Sequence, residues 1–271
     1  MDPTQGRGDI EYDLSLDRLK ELFSEDFIRG LDKMFACGDY GDPAVAKECL
    51  AIFEWFKDIN PNIVLGMNTN GGVRNTKFWK SLAEIMYGPL DYVVFSIDGL
   101  EDTNHIYRVN VQWKKLMENV QAYIGAGGKA HWNMLTFAHN EHQVEECRAM
   151  AEDMGFNLFL HKVSSRFLER PIEFLKPPKG YNYVQPTGKP HCHALEEKSL
   201  YVAATGQLLP CCFLGNEIFD LDDTMKTWLE EKDYVTLENS LTTNPHKFCL
   251  FHCGTYANAV SRHDNQFQDK V

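Results

Sequence analysis

The sequence predicts an α/β protein in which parallel strands are joined by crossover helices, followed by a small cysteine-bearing unit of β-hairpin and helix. Three observations predict it. Segments with helical and strand spacing alternate from Leu14 to Val163, with short loops between them. The strand segments are apolar almost throughout, as expected of strands covered on both faces. Beyond residue 190 the pattern changes to Cys192-x13-Gly206-x4-Cys211, a gap, and Cys249-x3-Cys253.

The elements follow in order. Residues 1–13 are polar and Gly-containing, and read as loop. Leu14 to Leu31 places Leu16, Leu19, Leu22, Phe23, Phe27, Ile28 and Leu31 at helical spacing. Asp32 to Cys37 has strand length and runs into the turn-rich Gly38-Asp-Tyr-Gly-Asp-Pro43. Pro43, at a first helical position, opens a helix to about Asp58. Strands then read at Asn62–Met67, Leu90–Ile97, Lys129–Phe137 and Asn157–Val163, and helices at Thr76–Tyr87, Val111–Ala126 and Glu141–Met154. Gly127-Gly128 and Gly155 close the last two helices. The run opens on a helix, so a strand expected before it is missing. Residues 164–190 lose periodicity and are rich in proline, which reads as a linker or covering loop. Ser199 to Pro210 reads as two strands about a Thr-Gly turn, and Leu221 to Lys232 as a helix.

Bulk properties narrow the function. The net charge of −12 is opposite to the basic stripe of a nucleic-acid binder. No apolar run is long enough to cross a bilayer, and the first residues carry no signal pattern, so the expected location is cytoplasmic with no membrane partner. Eight cysteines are too few for a disulfide scaffold in 271 residues. Four patterned thiolates instead make a soft tetrahedral set, suited to an iron–sulfur cluster or zinc, with unrelated core thiols as the bland alternative. Cys49 and Cys147 fall in helices and read as such core thiols. Trp55, Trp79, Trp113 and Trp132 read as core.

In parallel α/β architectures function sits at the carboxyl ends of the strands. Here those ends carry Gly38 to Pro43, Asn68-Thr-Asn-Gly71, Ser96-Ile-Asp-Gly99 with His105 and Arg108 beyond, Phe137-Ala-His-Asn140, and His161-Lys-Val-Ser-Ser165. Asn70, Ser96 and Asp98 suit hydrogen bonds to a ribose or an amino acid, and Arg108 suits a carboxylate. Each also has an ordinary reading as a turn or cap residue.

The order of these motifs resembles the radical S-adenosylmethionine superfamily with a C-terminal SPASM/Twitch-type auxiliary domain, from about Asp13 to Cys253. The resemblance implies a partial TIM-type (β/α) barrel over 1–165 without its first strand. A linker over 166–190, an auxiliary cluster domain over 191–253 and a tail over 254–271 follow. Gly38, Asp39, Tyr40, Gly41, Asp42 and Pro43 stand where the family holds the amino group of S-adenosylmethionine. Asn68 and Asn70 match its third-strand motif. Ser96, Asp98 and Arg108 match the motif that contacts ribose and carboxylate. Cys192, Cys211, Cys249 and Cys253 would hold one auxiliary [4Fe-4S] cluster. The implied activity is 5′-deoxyadenosyl-radical modification of a peptide or small molecule, with a flavodoxin or ferredoxin as electron donor. The family's C-x3-C-x2-C is absent from the chain. The expectation is therefore a chain that starts downstream of the catalytic cluster loop, as a truncated gene model, a fragment or a variant. Two other readings stay open: a zinc-stapled structural protein, and an S-adenosylmethionine-binding module without radical chemistry.

Overall fold

The computed structural model describes residues 13–38, 41–163, 175–181, 188–204, 206, 208–215, 239, 241–245 and 247–254. The chain divides into two compact units between Tyr181 and Asn182. The helix expected over Leu221–Lys232 lies outside the described residues.

The first unit is a five-stranded parallel sheet in the order β1-β2-β3-β4-β5, so each strand pairs with its sequence neighbour. The strands are β1 (Lys33–Ala36), β2 (Val64–Thr69), β3 (Tyr92–Ser96), β4 (Ala130–Thr136) and β5 (Leu158–Val163). A helix follows each of the first four: α3 (Cys49–Ile59), α4 (Thr76–Ile85), α6 (Trp113–Gly125) and α7 (Val144–Met154). An all-parallel sheet in sequential order, with helices in the crossovers, is the arrangement of a partial (β/α) barrel. The core is built from both layers. Trp79 and Leu82 of α4, Leu116 and Tyr123 of α6, Phe95 of β3 and Trp132 of β4 are all fully buried. Trp55 and Trp113 pack against this core from its edge. Cys49 and Cys147 are core thiols, and burial pushes each up to about 12.

Two helices expected as continuous are broken. Leu14–Leu31 forms α1 (Leu16–Leu22) and α2 (Glu25–Arg29). Ser24 intervenes, and its side chain accepts from the Phe27 amide as the cap of the second helix. The apolar spacing continued through the break and masked the serine. The helix expected from Pro43 to Asp58 is a 3₁₀ turn (Pro43–Val45) followed by α3, with Ala46 at a non-helical ψ of 132° between them. Proline does open the turn, under an Asp42 cap. A short helix α5 (Asn104–Tyr107) was not anticipated.

The second unit contains the expected hairpin. Strand β6 (Tyr201–Val202) pairs antiparallel with β7 (Leu208–Leu209), and Gly206 in the turn has φ 81°. Short helices α8 (His193–Glu196) and α9 (Cys212–Gly215) flank the hairpin, and α10 (Lys247–Cys253) follows. Ala194, Ala203, Leu209, Leu241 and Cys249 are buried. No helix among the described residues is long and apolar enough to cross a membrane.

Candidate functional site

The carboxyl ends of β1, β2 and β3 are tied together by side chains. Asp42 caps the 3₁₀ turn through the Ala44 amide at 3.0 Å. The same carboxylate accepts from the Thr69 hydroxyl at 2.9 Å and the Asn70 amide at 2.6 Å, both beyond β2 or at its end. Burial pushes the Asp42 carboxyl up, and the amide bonds, the Thr69 bond and the charge of Arg108 oppose that shift. Asn70 then accepts from the Gly72 amide at 2.8 Å, closing a local turn. Gly71 has φ 68°, and a Cβ placed there would stand 2.5 Å from Leu116 and 2.9 Å from Phe95. Glycine is required at that point by both backbone and space. Asn119 on α6 donates to the Gly71 carbonyl at 2.8 Å and fixes the turn from behind.

The loop after β3 holds the site's main charge pair. Asp98 is fully buried. One of its oxygens accepts from the Leu135 amide at 2.6 Å, and the other from Arg108 Nε at 2.6 Å. The Arg108 side chain keeps 23% of its exposure, and its guanidinium lies over the Tyr107 ring at 5.1 Å. Among the described residues its two Nη groups have no hydrogen-bond partner, so the fork is oriented on one edge and open on the other. Asn140, beyond β4, donates to the Asp98 and Leu135 carbonyls at 3.0 and 2.9 Å. Gln143 accepts from the Leu100 amide at 3.0 Å and also bonds the Thr103 hydroxyl.

The remaining strand-end residues fall around this frame. Gly38 sits beyond β1 with φ 73°, and Gly41 is exposed. Asp39 and Tyr40 lie outside the described residues. Asn68 is half-buried and makes one long contact, 3.5 Å, to the Cys37 carbonyl. Ser96 ends β3, half-buried and opposite Asn133 of β4. His105 is exposed. His139 stacks on Phe137 at 5.3 Å, and neither of its ring nitrogens has a hydrogen-bond partner. Burial holds its imidazole below the usual range; Asp98 opposes this, and His105 and His142 add to it.

In the second unit three of the four patterned cysteines lie within electrostatic reach of the fourth, Cys249. Cys192 precedes α8, Cys211 precedes α9, and Cys249 and Cys253 are one turn apart on α10. The backbone joins these segments. The His191 amide donates to the Cys253 carbonyl at 2.8 Å, and Pro190 bridges Gly254. Phe213 of α9 stacks on His252 of α10 at 4.4 Å. Burial raises the Cys249 thiol first, and the charges of Cys211, Cys253 and Cys192 raise it further. Each of the other three is therefore within electrostatic reach of Cys249. Such a group resists ionisation unless a cation compensates it, which fits the donor set of a metal or iron–sulfur group.

No protein-family model matches the chain, and no curated protein matches it by sequence. Solved structures do match. SuiB of Streptococcus suis bound to its precursor peptide SuiA is 14% identical with a TM-score of 0.57, over 94% of this chain and 68% of that one. SuiB bound to S-adenosylmethionine is 15% identical with a TM-score of 0.52, over 88% and 65%. The chain shares its partial (β/α) barrel fold with these structures. A third neighbour, anSMEcpe with bound AdoMet and the Kp18Cys peptide, is 13% identical with a TM-score of 0.52, over 93% of this chain and 84% of that one. Against another SuiB structure the chain spans 58% of that chain's length. In this fold the loops tied by Asp42, Asn70, Asp98 and Arg108 all stand at the carboxyl ends of the strands.

Asn119 and Gln143 support the site and were not predicted, because they look like ordinary helix or turn residues in the sequence. Thr69 and Asn140 lie within strand-end stretches that the sequence did single out, without a role of their own.

Proposed function

We propose that this chain is the S-adenosylmethionine-binding and auxiliary-cluster portion of a radical S-adenosylmethionine protein that modifies a peptide or a small molecule. The observation that supports the reading is that the thiols of Cys192, Cys211 and Cys253 all act electrostatically on the buried Cys249, within a chain that shares its fold with SuiB. The peptide bound to SuiB and to anSMEcpe supports a peptide as the substrate class.

The residues divide the work. Arg108, oriented by Asp98 through Nε, offers its Nη edge to the ligand carboxylate. Gly38, Asp39, Tyr40, Gly41 and Pro43 supply backbone groups for the ligand amine, with Asp42 holding that loop to Asn70. Asn68, Asn70 and Ser96 line the same ends and bond the sugar. The four thiolates hold an auxiliary [4Fe-4S] group, which when bound supplies electron transfer or a substrate-binding site. Radical cleavage needs a further cluster, and this chain contains no C-x3-C-x2-C to hold one. The electron donor, a flavodoxin or ferredoxin, acts on the protein that carries that cluster.

Anaerobic loading with iron and sulfide tests the reading. The expected result is a brown protein with about four irons per chain, lost in Cys211→Ala and in Cys253→Ala. A colourless protein that takes only zinc, or iron content unchanged in both variants, overturns the ligand assignment.

A further inference from the structure

Cys192 lies in extended backbone, φ −95° and ψ 99°. Its two sequence neighbours are histidines, and the rings of His191 and His193 stand 4.9 Å apart. Glu196, one helical turn after His193, joins them. His191 Nε2 lies 3.0 Å from Glu196 Oε2, and His193 Nδ1 lies 3.7 Å from the same oxygen. All three donor atoms fall within 4.8 Å of one another. The edge of a tetrahedron with ordinary zinc–nitrogen and zinc–oxygen bonds is about 3.4 Å, between these two spacings.

We propose that His191, His193 and Glu196 form a second metal site, distinct from the four thiols, which binds a divalent borderline cation of the zinc class. Two imidazoles and one carboxylate suit zinc and leave a fourth position open to water. His191 and Glu196 keep 49% and 61% of their side-chain exposure, so a hydrated ion reaches them without burying a bare charge. The backbone holding the donors is fixed before metal arrives. The His191 amide is bonded to the Cys253 carbonyl at 2.8 Å, and the Glu196 and Glu197 amides close the turn onto Cys192 and His193 at 3.2 and 2.8 Å. The site thus sits on the same short segment as one thiol and is hydrogen-bonded to another. Ion binding there would stiffen the segment that presents Cys192 and Cys253.

Cobalt(II), which takes zinc sites and reports its ligands by colour, is the probe. Full-length chain is loaded anaerobically with iron and sulfide and then titrated with cobalt. The expected result is one cobalt per chain, with weak visible bands and no intense sulfur-to-cobalt charge transfer. Binding should weaken by about tenfold or more in both His193→Ala and Glu196→Gln, and stay unchanged in His142→Ala. No bound cobalt, or equal binding in both site variants, overturns the proposal. If the thiols have not taken iron, cobalt produces the intense sulfur band instead. That result counts against the auxiliary-cluster reading, while the His193 and Glu196 variants still decide this site.

Discussion

Strand β3 has a buried aspartate at each end, and the two are partnered differently. Asp91, just before the strand, meets Lys57 at 2.8 Å, with side-chain exposures of 1% and 4%. Every polar group there is used. Lys57 also donates to the Ile63 carbonyl at 2.7 Å and lies 5.0 Å from the Tyr87 ring. Asp91 also accepts from the Leu65 and Gly88 amides, each at 2.8 Å. Asp98, just after the strand, is buried as completely, but its arginine is held by one edge and keeps the other open. The amino end of the sheet is closed upon itself. The carboxyl end is organised and left incomplete, which is the condition for receiving a ligand.

The sharpest way to break this contrast is Asp91→Ala. It strands the Lys57 charge in the interior and should cost about 3–5 kcal/mol of stability, read by denaturant melts. The double change Lys57→Met with Asp91→Leu should recover most of that loss, because no unpaired charge remains. A mild single-variant effect would mean that the closed end is not closed. Gly71→Ala comes next, at the open end. The positive φ and the approach to Leu116 should together cost on the order of 1–3 kcal/mol, again read by melts, with a matching disturbance of the loop that Asp42 ties.

The smallest effect concerns His139. Its folded-state pKa lies below the ordinary 6.5, chiefly through burial, so the neutral ring is the form the fold prefers. Its contribution to stability is complete above pH 6.5 and is lost as pH falls from there through the lowered folded value. Wild type should therefore lose more stability than His139→Gln between about pH 7.5 and about pH 5.5. Parallel curves for the two proteins would contradict it. The open end would then lack the desolvated character argued here.

The contrast also separates what was legible in the sequence from what was not. Apolar runs with Gly and Pro punctuation located all five strands, because strands covered on both faces are nearly pure in composition. Asp98 was singled out because it stands just after such a run, and Arg108 because it follows in the same loop region. Lys57 and Asp91 were not. Lys57 occupies an ordinary position on a helix, Asp91 precedes a strand, and 34 residues separate them in sequence. Only the folded chain reveals that both are desolvated. The breaks at Ser24 and Ala46 were missed for a related reason: apolar spacing reports which face is buried, and it persists across a cap. The four cysteines were singled out by their spacing, whereas the approach of His191, His193 and Glu196 to one another needed the folded chain.

On the proposed reading, the open edge of Arg108 receives the carboxylate of S-adenosylmethionine. Calorimetric titration of S-adenosylmethionine into wild type and Arg108→Lys tests it most directly. Lysine keeps a cation beside Asp98, so stability should change by no more than about 1 kcal/mol, but it lacks the planar fork. Wild type should bind saturably, and the variant should bind about tenfold or more weakly, with the two melting nearly together. Equal affinity in the two proteins, or no binding by wild type at millimolar ligand, would contradict it.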